Sequence, residues 1–290
     1  MATDPVTLCD WCVKILHTPD PFTKVKLTQE LNQLWTSGQI TKIGEGVAPE
    51  RPGRPDDLEF VAPGKAIRLG KAGSMQSRIA ILHSLSNIEQ WAIDTALDNI
   101  VRFKSSNPPR GDQPNPSGED CLMPRSFFDD FVRMAAEEAK HFLWLTARLA
   151  DLGSHFGALP VHAGIWESAA ETAHDVACRM AIVHMVHEAR GLDVNPNTIQ
   201  NFRKAGDTTT ADMLDVILAD EVTHVETGHR WFDYMCRQRG KDKQEVFRVT
   251  VQKHFRGVLK PPFNEEARRA AGMEPELYQN LDTKESATNV

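Results

Sequence analysis

The chain has 290 residues, of which 41% are apolar and 25% charged, and its formal net charge is −7. This length and composition allow a large buried core without disulfide support, and the sequence has no apolar run long enough for a membrane-spanning helix. The acidic balance argues against a generally basic nucleic-acid binder. Because the N-terminus lacks the basic start and apolar stretch of a secretory signal, we expect a cytoplasmic protein.

Three regions follow one another along the chain. They are an N-terminal arm (1–73), a central region (74–240) and a C-terminal arm (241–290). The first arm has helical patterns near 5–17 and 24–37, followed by a linker rich in glycine and proline. The last arm contains a proline-rich extended stretch, and from about Thr283 we expect disorder.

The central region predicts four long amphipathic helices, because apolar residues recur there every three or four positions. The helices are predicted over about residues 74–103, 124–152, 165–190 and 207–239. The third is predicted to end at Gly191, before a segment broken by Asn195-Pro196. Four long helices with few strand signals predict an all-α fold, namely a four-helix bundle with N- and C-terminal arms.

Five scattered cysteines predict no structural disulfides in a reducing compartment. Cys9 and Cys12 form a C-x-x-C pair inside an amphipathic helical pattern, and no second pair is present to complete a zinc site. We therefore expect these two thiols to pack in the core.

Carboxylates and histidines interrupt the apolar stripes of three of the predicted helices. They are Glu89 in the first helix, Glu138 and His141 in the second, and Glu221 and His224 in the fourth. A buried carboxylate costs many kcal/mol unless it is paired, protonated or bound to a cation. Residues three apart lie about 60° apart around a helix, so each Glu-x-x-His pair can face one metal pocket. This pattern is typical of bundles that hold two iron or manganese ions.

The third helix offers two candidates for the remaining ligand. Glu188 lies near its predicted end, whereas Glu171 and His174 lie near its start. At 1.5 Å per residue, His174 and Glu188 are about 21 Å apart, so both cannot bind one centre. We favour Glu188, and we expect His184, one turn earlier, to be an extra ligand or a hydrogen-bond partner that orients one.

Other residues near the motifs are assigned weaker roles. Glu226 and His229 repeat the Glu-x-x-His spacing but fall off the stripe, so they are expected to face solvent or to support a ligand. Asp220 and Glu137 adjoin ligands in sequence and are expected to point elsewhere. Gly228 either leaves room beside the metals or allows close helix packing.

At these residues the sequence resembles a family catalogued as domain of unknown function 455, within the ferritin-like superfamily. The resemblance rests on HSLSNIE (83–89), MPRSFFDD (123–130), AAEEAKHF (135–142), EARGLDV (188–194), EVTHV (221–225) and FRGVLKPPFN (255–264). It implies a ferritin-like bundle with a metal site, and it supports Glu188 over Glu171. The insertion from Lys104 to Cys121 departs from the family pattern. The resemblance implies no substrate.

These observations lead to one functional hypothesis with two rivals. The first is an oxidoreductase of the hydroxylase or oxygenase type, in which two iron ions, or a manganese–iron pair, activate dioxygen. It would need an electron donor and would act on an unknown small organic or RNA-linked substrate. The rivals are an iron-handling ferroxidase or storage-like protein, and a metal-binding protein without catalysis.

Overall fold

The computed structural model describes residues 6–63, 65, 70, 73–106, 122–279 and 281. Within these residues the protein is all-helical, and the β-type pairing found there is an isolated bridge between Phe60 and Val161. Among the described helices, none combines the length and the apolar character needed to cross a bilayer. Most of the 104–121 insertion and the tail beyond Thr283 lie outside the described residues.

Ten α-helices account for most of the described residues. In chain order they are α1 (Leu8–His17), α2 (Pro21–Thr36), α3 (Met75–Phe103), α4 (Arg125–Asp151), α5 (Gly164–Glu171), α6 (Val176–Arg179), α7 (Glu188–Lys204), α8 (Thr208–Gln238), α9 (Lys243–His254) and α10 (Glu265–Ala270). A π-helical stretch, Met180–His187, joins α6 to α7 and is called the π segment below.

The N-terminal arm forms the two predicted helices, and both pack on the central region. Helix α1 begins at a capping box in which Thr7 and Asp10 bond each other's backbone, and α2 begins at Asp20, whose side chain accepts from Thr23 N. Helix α1 contacts α3, and α2 contacts α4. Cys9 and Cys12 are buried and free, as the amphipathic pattern predicted.

The long helices α3, α4 and α8 and the π segment surround the core that contains the candidate site. Helix α3 packs along α4, and α8 packs against α4, α7 and the π segment. Phe127 contributes to this core with edge-to-face contacts to Phe131 (4.8 Å) and Trp231 (5.1 Å). The Trp231 indole also donates to Asp130 Oδ2 at 2.8 Å, so this side chain belongs to the packed interior.

The predicted boundaries of the third helix are wrong at both ends. Helix α5 stops at Glu171, and the side chain of Asp175 then caps a new helix by accepting from Cys178 N at 2.9 Å. This new helix runs without interruption through the π segment and α7 to Lys204. The run from Val176 to Lys204 therefore places Glu188 near its middle.

Pro196 does not break this helix, contrary to prediction, because a neighbouring side chain takes its place. A proline inside a helix leaves the carbonyl four residues earlier without its usual donor. Here that carbonyl belongs to Leu192, and it accepts from Asn264 Nδ2 at 3.1 Å. Asn264 precedes α10, which lies in the C-terminal arm, so a residue distant in sequence allows α7 to continue.

The C-terminal arm packs back on the central region. The guanidinium of Arg268 on α10 is buried and pairs with Asp193 of α7 at 2.6 Å. Helix α9 packs against the π segment. This placement brings residues 254–257, at the end of α9, close to the central helices.

Candidate metal centre

The Glu-x-x-His motif of α4 directs both of its side chains into the core. Glu138 and His141 are 1% and 0% exposed, and Nδ1 of His141 lies 3.4 Å from Glu138 Oε2. The same nitrogen lies 3.4 Å from Oε2 of Glu89, which α3 supplies from the opposite side. The predicted convergence of the first and second long helices is therefore present.

The second motif, on α8, meets the first. Nδ1 of His224 lies 3.1 Å from Glu138 Oε1 and 3.6 Å from Glu221 Oε2. The rings of His141 and His224 are 6.0 Å apart between centroids. One Glu-x-x-His from each of two helices thus faces the same small volume.

A set of four residues has ligand atoms that all lie within 4.8 Å of one another. They are Glu89, Glu138, His141 and Glu221. His224 borders this set through its contact with Glu138. Glu188 is close enough for its charge to interact with Glu89 and His224. Such a buried group of carboxylates and imidazoles could hold a metal ion.

The electrostatics of this group call for positive charge. Burial, together with the neighbouring Glu138, raises the pKa of Glu89 to about 8, and burial likewise raises the pKa of Glu188 to about 8. Burial lowers the pKa of His141, but the adjacent carboxylates of Glu138 and Glu89 outweigh this effect and raise it to about 11. In the metal-free protein, protons bound to Glu89, His141 and Glu188 thus supply part of the positive charge that a metal ion would otherwise supply.

Three buried atoms at the centre test whether the residues fit a metal. They are Glu89 Oε2, Glu188 Oε2 and His224 Nδ1, and none has a hydrogen-bond partner within the described part of the chain. Buried polar atoms are normally satisfied, and binding of an ion is one explanation when they are not. Oxygen and imidazole nitrogen atoms left free in this way are suitable ligands for iron or manganese.

Two carboxylates next to the motifs fix the histidines, and their expected orientation away from the site is wrong. Asp220 of α8 accepts from His141 Nε2 at 2.9 Å, and Glu137 of α4 accepts from His224 Nε2 at 2.9 Å. Lys140 in turn donates to Asp220 at 2.7 Å. A carboxylate on the outer nitrogen sets the ring orientation and leaves the inner nitrogen free for a metal.

The sequence contained a signal for these two residues. Both motifs read acid-Glu-x-x-His, since Glu137 precedes Glu138 and Asp220 precedes Glu221. The residue before each glutamate turns toward the neighbouring helix and not toward solvent. Helical spacing predicts the direction of a side chain only relative to its own helix. It therefore did not predict that Asp220 and Glu137 contact histidines on the neighbouring helix.

On the third helical run, the structure brings Glu188 to the centre and leaves Glu171 and His174 elsewhere. Glu188 lines the same cavity as Glu89, Glu138 and Glu221. Glu171, by contrast, pairs with Arg256 at 3.3 Å. Glu188 therefore remains the predicted ligand from this helix. It lies near the middle of the helix, whereas the sequence predicted a place near its end.

His184 orients Glu188 and has no free nitrogen for a metal. Its Nδ1 bonds Glu188 Oε1 at 2.7 Å, and its Nε2 bonds Asn99 Nδ2 at 2.7 Å. Because Asn99 Oδ1 accepts from Arg179, the Asn99 amide must donate to Nε2, which leaves the proton of His184 on Nδ1. Burial lowers the pKa of His184 to about 3, so the ring is neutral.

Two further expectations are decided by packing. A Cβ atom on Gly228 would lie 2.4 Å from Cβ of His184, so this glycine serves close packing between α8 and the π segment. Glu226 is exposed, as its position off the stripe predicted, and His229 is partly buried.

A cavity of about 980 Å³ adjoins the centre. Its inner wall includes Glu89, Glu138, Glu188 and Glu221. Apolar side chains continue the wall outward from α3, α5 and the π segment, namely Leu85, Ile88, Ala92, Ile165 and Val183. Residues 254–257, at the end of α9, line its far side. The carboxylates are thus accessible from a space large enough for an organic molecule.

Comparison with known proteins identifies relatives but no activity. Residues 17–279 match the model of a family described as "Protein of unknown function (DUF455)". The chain is 32% identical over 262 residues to an uncharacterised protein of Haemophilus influenzae, an alignment that covers 89% of this chain and 87% of that protein. No solved structure matches the chain.

Proposed function

The chain belongs to the DUF455 family, and from the chemistry of its buried centre we propose that it is a di-iron carboxylate protein with a ferritin-like four-helix bundle. In that arrangement α3 and the run through α7 each supply one glutamate, while α4 and α8 each supply a Glu-x-x-His pair. The proposed ligands are Glu89, Glu138, His141, Glu188, Glu221 and His224. Four carboxylates and two imidazoles nearly neutralise two divalent ions and suit iron or manganese better than a thiol-preferring metal.

We propose further that the protein is an oxidoreductase that uses dioxygen. When bound, a pair of irons would supply redox chemistry with dioxygen that the side chains themselves cannot perform. The protein's own residues hold the site in shape. Asp220 and Glu137 fix the two histidine rings. Nδ1–H of His184 donates a hydrogen bond to Glu188, which limits the rotation of that side chain.

The cavity beside the carboxylates is the observation that carries the enzymatic proposal. Its volume of about 980 Å³ lies at the upper end of the range for small-molecule sites, and apolar side chains line it outward from the carboxylates. An iron-storage protein needs a path for ions but no such apolar chamber. The chamber therefore favours an organic substrate, with an external electron donor, over iron handling without a substrate.

Metal analysis tests the centre first. Protein loaded with ferrous iron under anaerobic conditions should contain about two ions per chain, and Glu138→Ala combined with Glu221→Ala should abolish this content. Glu226→Ala, an exposed glutamate on the same helix, should retain both ions. Unchanged metal content in the double variant would refute the ligand assignment.

Reaction with oxygen tests the enzymatic part separately. The anaerobic ferrous protein, mixed rapidly with dioxygen, should show a transient absorbance change and should consume about one dioxygen per metal pair. A protein that binds two irons but shows no such change would contradict an oxygen-activating role. Continued uptake and mineralisation of iron far beyond two ions per chain would instead support iron handling.

A further inference from the structure

A second group of potential metal ligands lies outside the six proposed iron ligands, Glu89, Glu138, His141, Glu188, Glu221 and His224, which are called the carboxylate centre below. His174 lies in the turn between α5 and α6, Cys178 lies in α6, and His254 is the last residue of α9. One ligand atom from each of the three lies within 4.8 Å of the other two. The group includes His174, which the carboxylate centre does not use.

The His254 side chain is the unsatisfied member of this group. It is only 9% exposed, and its Nδ1 is buried without a hydrogen-bond partner among the residues described. The nearest carboxylate oxygen, Glu171 Oε1, lies 3.7 Å away, beyond hydrogen-bond distance. The ring of His174 stands 5.3 Å from that of His254 between centroids. A buried nitrogen without a partner, next to a second imidazole and a thiol, is available to bind a metal ion.

The three donors match a particular class of metal. One sulfur and two imidazole nitrogens favour a borderline or soft ion, and zinc takes such ligands in tetrahedral geometry. With Zn–N near 2.0–2.1 Å and Zn–S near 2.3 Å, tetrahedral ligand atoms lie about 3.4–3.6 Å apart. The ligand atoms of the group lie within 4.8 Å of one another, so they would have to move closer together to reach this spacing.

The surroundings of Cys178 argue against nucleophilic chemistry. Burial and the nearby Asp175 raise the pKa of its thiol to about 11, so the free side chain is protonated and unreactive near neutral pH. A bound zinc ion would displace that proton. Asp175 itself is occupied, since it caps α6 and pairs with Arg239 at 2.6 Å.

We propose that His174, Cys178 and His254 bind one Zn²⁺ ion, independently of the carboxylate centre, with Glu171 or a water molecule as the fourth ligand. The ion would join the start of α6 to the end of α9. His254 and the three residues that follow it line the cavity beside the carboxylates. The zinc would therefore hold one wall of that cavity in place, and the protein would sort two kinds of metal by ligand type.

Cobalt substitution gives a readout that the carboxylate centre cannot produce. Co²⁺ bound to a thiolate has a charge-transfer absorption band in the near ultraviolet, and none of the proposed iron ligands contains sulfur. Metal-free protein titrated with Co²⁺ should develop this band with one equivalent per chain. Zn²⁺ should then remove it by displacement.

Single variants assign the band to this group. Cys178→Ser should abolish it, whereas Cys236→Ser and Cys12→Ser, which change other free cysteines, should leave it intact. His174→Gln changes an exposed side chain and should not affect folding, but it should weaken zinc binding at least about tenfold. A band that survives Cys178→Ser, or no band in the wild-type protein, would overturn the proposal.

The two centres can be tested apart from each other. The double variant Glu138→Ala, Glu221→Ala should lose iron but keep the cobalt–thiolate band, because its changes lie in the carboxylate centre. Cys178→Ser should keep two irons per chain. If Cys178→Ser lost iron and kept its zinc, the proposed zinc ligands would be wrong.

Discussion

Helix α3 carries two groups of buried carboxylates that are neutralised in different ways. Asp94 is fully buried and pairs with Lys24 of α2 at 2.7 Å and with Arg54. Asp98, one turn later, is also fully buried and pairs with Arg179 at 2.7 Å and with Arg102 at 2.8 Å. Glu89, little more than one turn before Asp94, has no lysine or arginine partner among the described ion pairs and contacts His141.

This difference shows what distinguishes a metal centre from a structural ion pair. Burial of a carboxylate is common to both regions, so burial by itself does not identify ligands. In the ion-pair region the protein supplies the positive charge from its own side chains. In the carboxylate centre it supplies outer carboxylates, Asp220 and Glu137, that make the imidazoles better ligands. A metal ion that balanced these carboxylates would have to come from outside the chain.

Breaking an ion pair should have the largest effect on stability. Asp94→Ala should lower the free energy of unfolding by about 3–5 kcal/mol, because it leaves Lys24 and Arg54 buried without their partner. Chemical denaturation would measure this change, and the two-iron content of the surviving folded protein should be unchanged. Asp215→Ala, which breaks the exposed pair with Arg203, is the control and should cost about 0–1 kcal/mol. Equal losses in both variants would contradict the distinction.

The carboxylate centre should respond to pH in a characteristic way. Without metal, the raised pKa of Glu89 means that its contribution to stability is lost as pH rises from about 4.5 to about 8. The raised pKa of His141 has the same sign, since its stabilising protonation is lost above pH 6.5 and toward pH 11. Metal-free protein should therefore become less stable as the pH increases from 6 to 8. The increase in Tm caused by adding metal should be larger at pH 8 than at pH 6.

Glu89→Gln provides the matched variant for this experiment. It should raise the stability of the metal-free protein at pH 8 by about 1–3 kcal/mol and flatten its pH dependence, because a neutral amide replaces the buried carboxyl. It should also weaken metal binding. The Tm of both metal-free proteins would be measured across this pH range. If the two profiles were the same, the ionised Glu89 carboxylate would not destabilise the protein as expected.

Removing an outer carboxylate should have an intermediate effect. Asp220→Asn and Glu137→Gln should each weaken metal binding about 10–100-fold while leaving the ligands in place, because a neutral amide replaces the carboxylate that orients each histidine ring and raises its basicity. Competition with a chelator would measure the affinity. Glu226→Gln, on the exposed side of α8, should leave it unchanged. An affinity loss in the control alone would contradict the assigned roles.

Gly228→Ala tests the link between the two regions. Arg179, Asn99 and His184 form a hydrogen-bonded chain from Asp98 to Glu188. A methyl group on Gly228 would collide with His184 and should destabilise the protein by about 1–3 kcal/mol and weaken metal binding.

Gly191→Ala is the opposite control. Gly191 lies within α7, and a Cβ added there would come no closer than 3.8 Å to a neighbouring atom. Because alanine favours a helix more than glycine does, the variant should be more stable than the wild type by about 0.5–1 kcal/mol. Thermal unfolding compares the two. A Gly228→Ala variant as stable as the wild type would show that α8 and the π segment can separate without cost.

Periodicity determined the elements and part of the centre. The stripes predicted α1, α2, α3, α4 and α8 and indicated which side chains face inward, because side-chain direction within one helix follows from its geometry. This was sufficient to predict that the pairs Glu138/His141 and Glu221/His224, among four motifs of the same spacing, converge in the core. It failed where a residue's environment depends on another element, as for Asp220 and Glu137.

The sequence by itself determined an all-helical chain with carboxylates and histidines on inward faces, because these properties depend on residues a few positions apart. Only the tertiary structure decided which buried acids receive a protein cation, how α7 passes Pro196, and that His174 approaches Cys178 and His254. Each of these depends on a partner from a distant segment. The carboxylate centre and the ion pairs beside it are distinguished by contacts between helices. Periodicity along a single helix does not distinguish them.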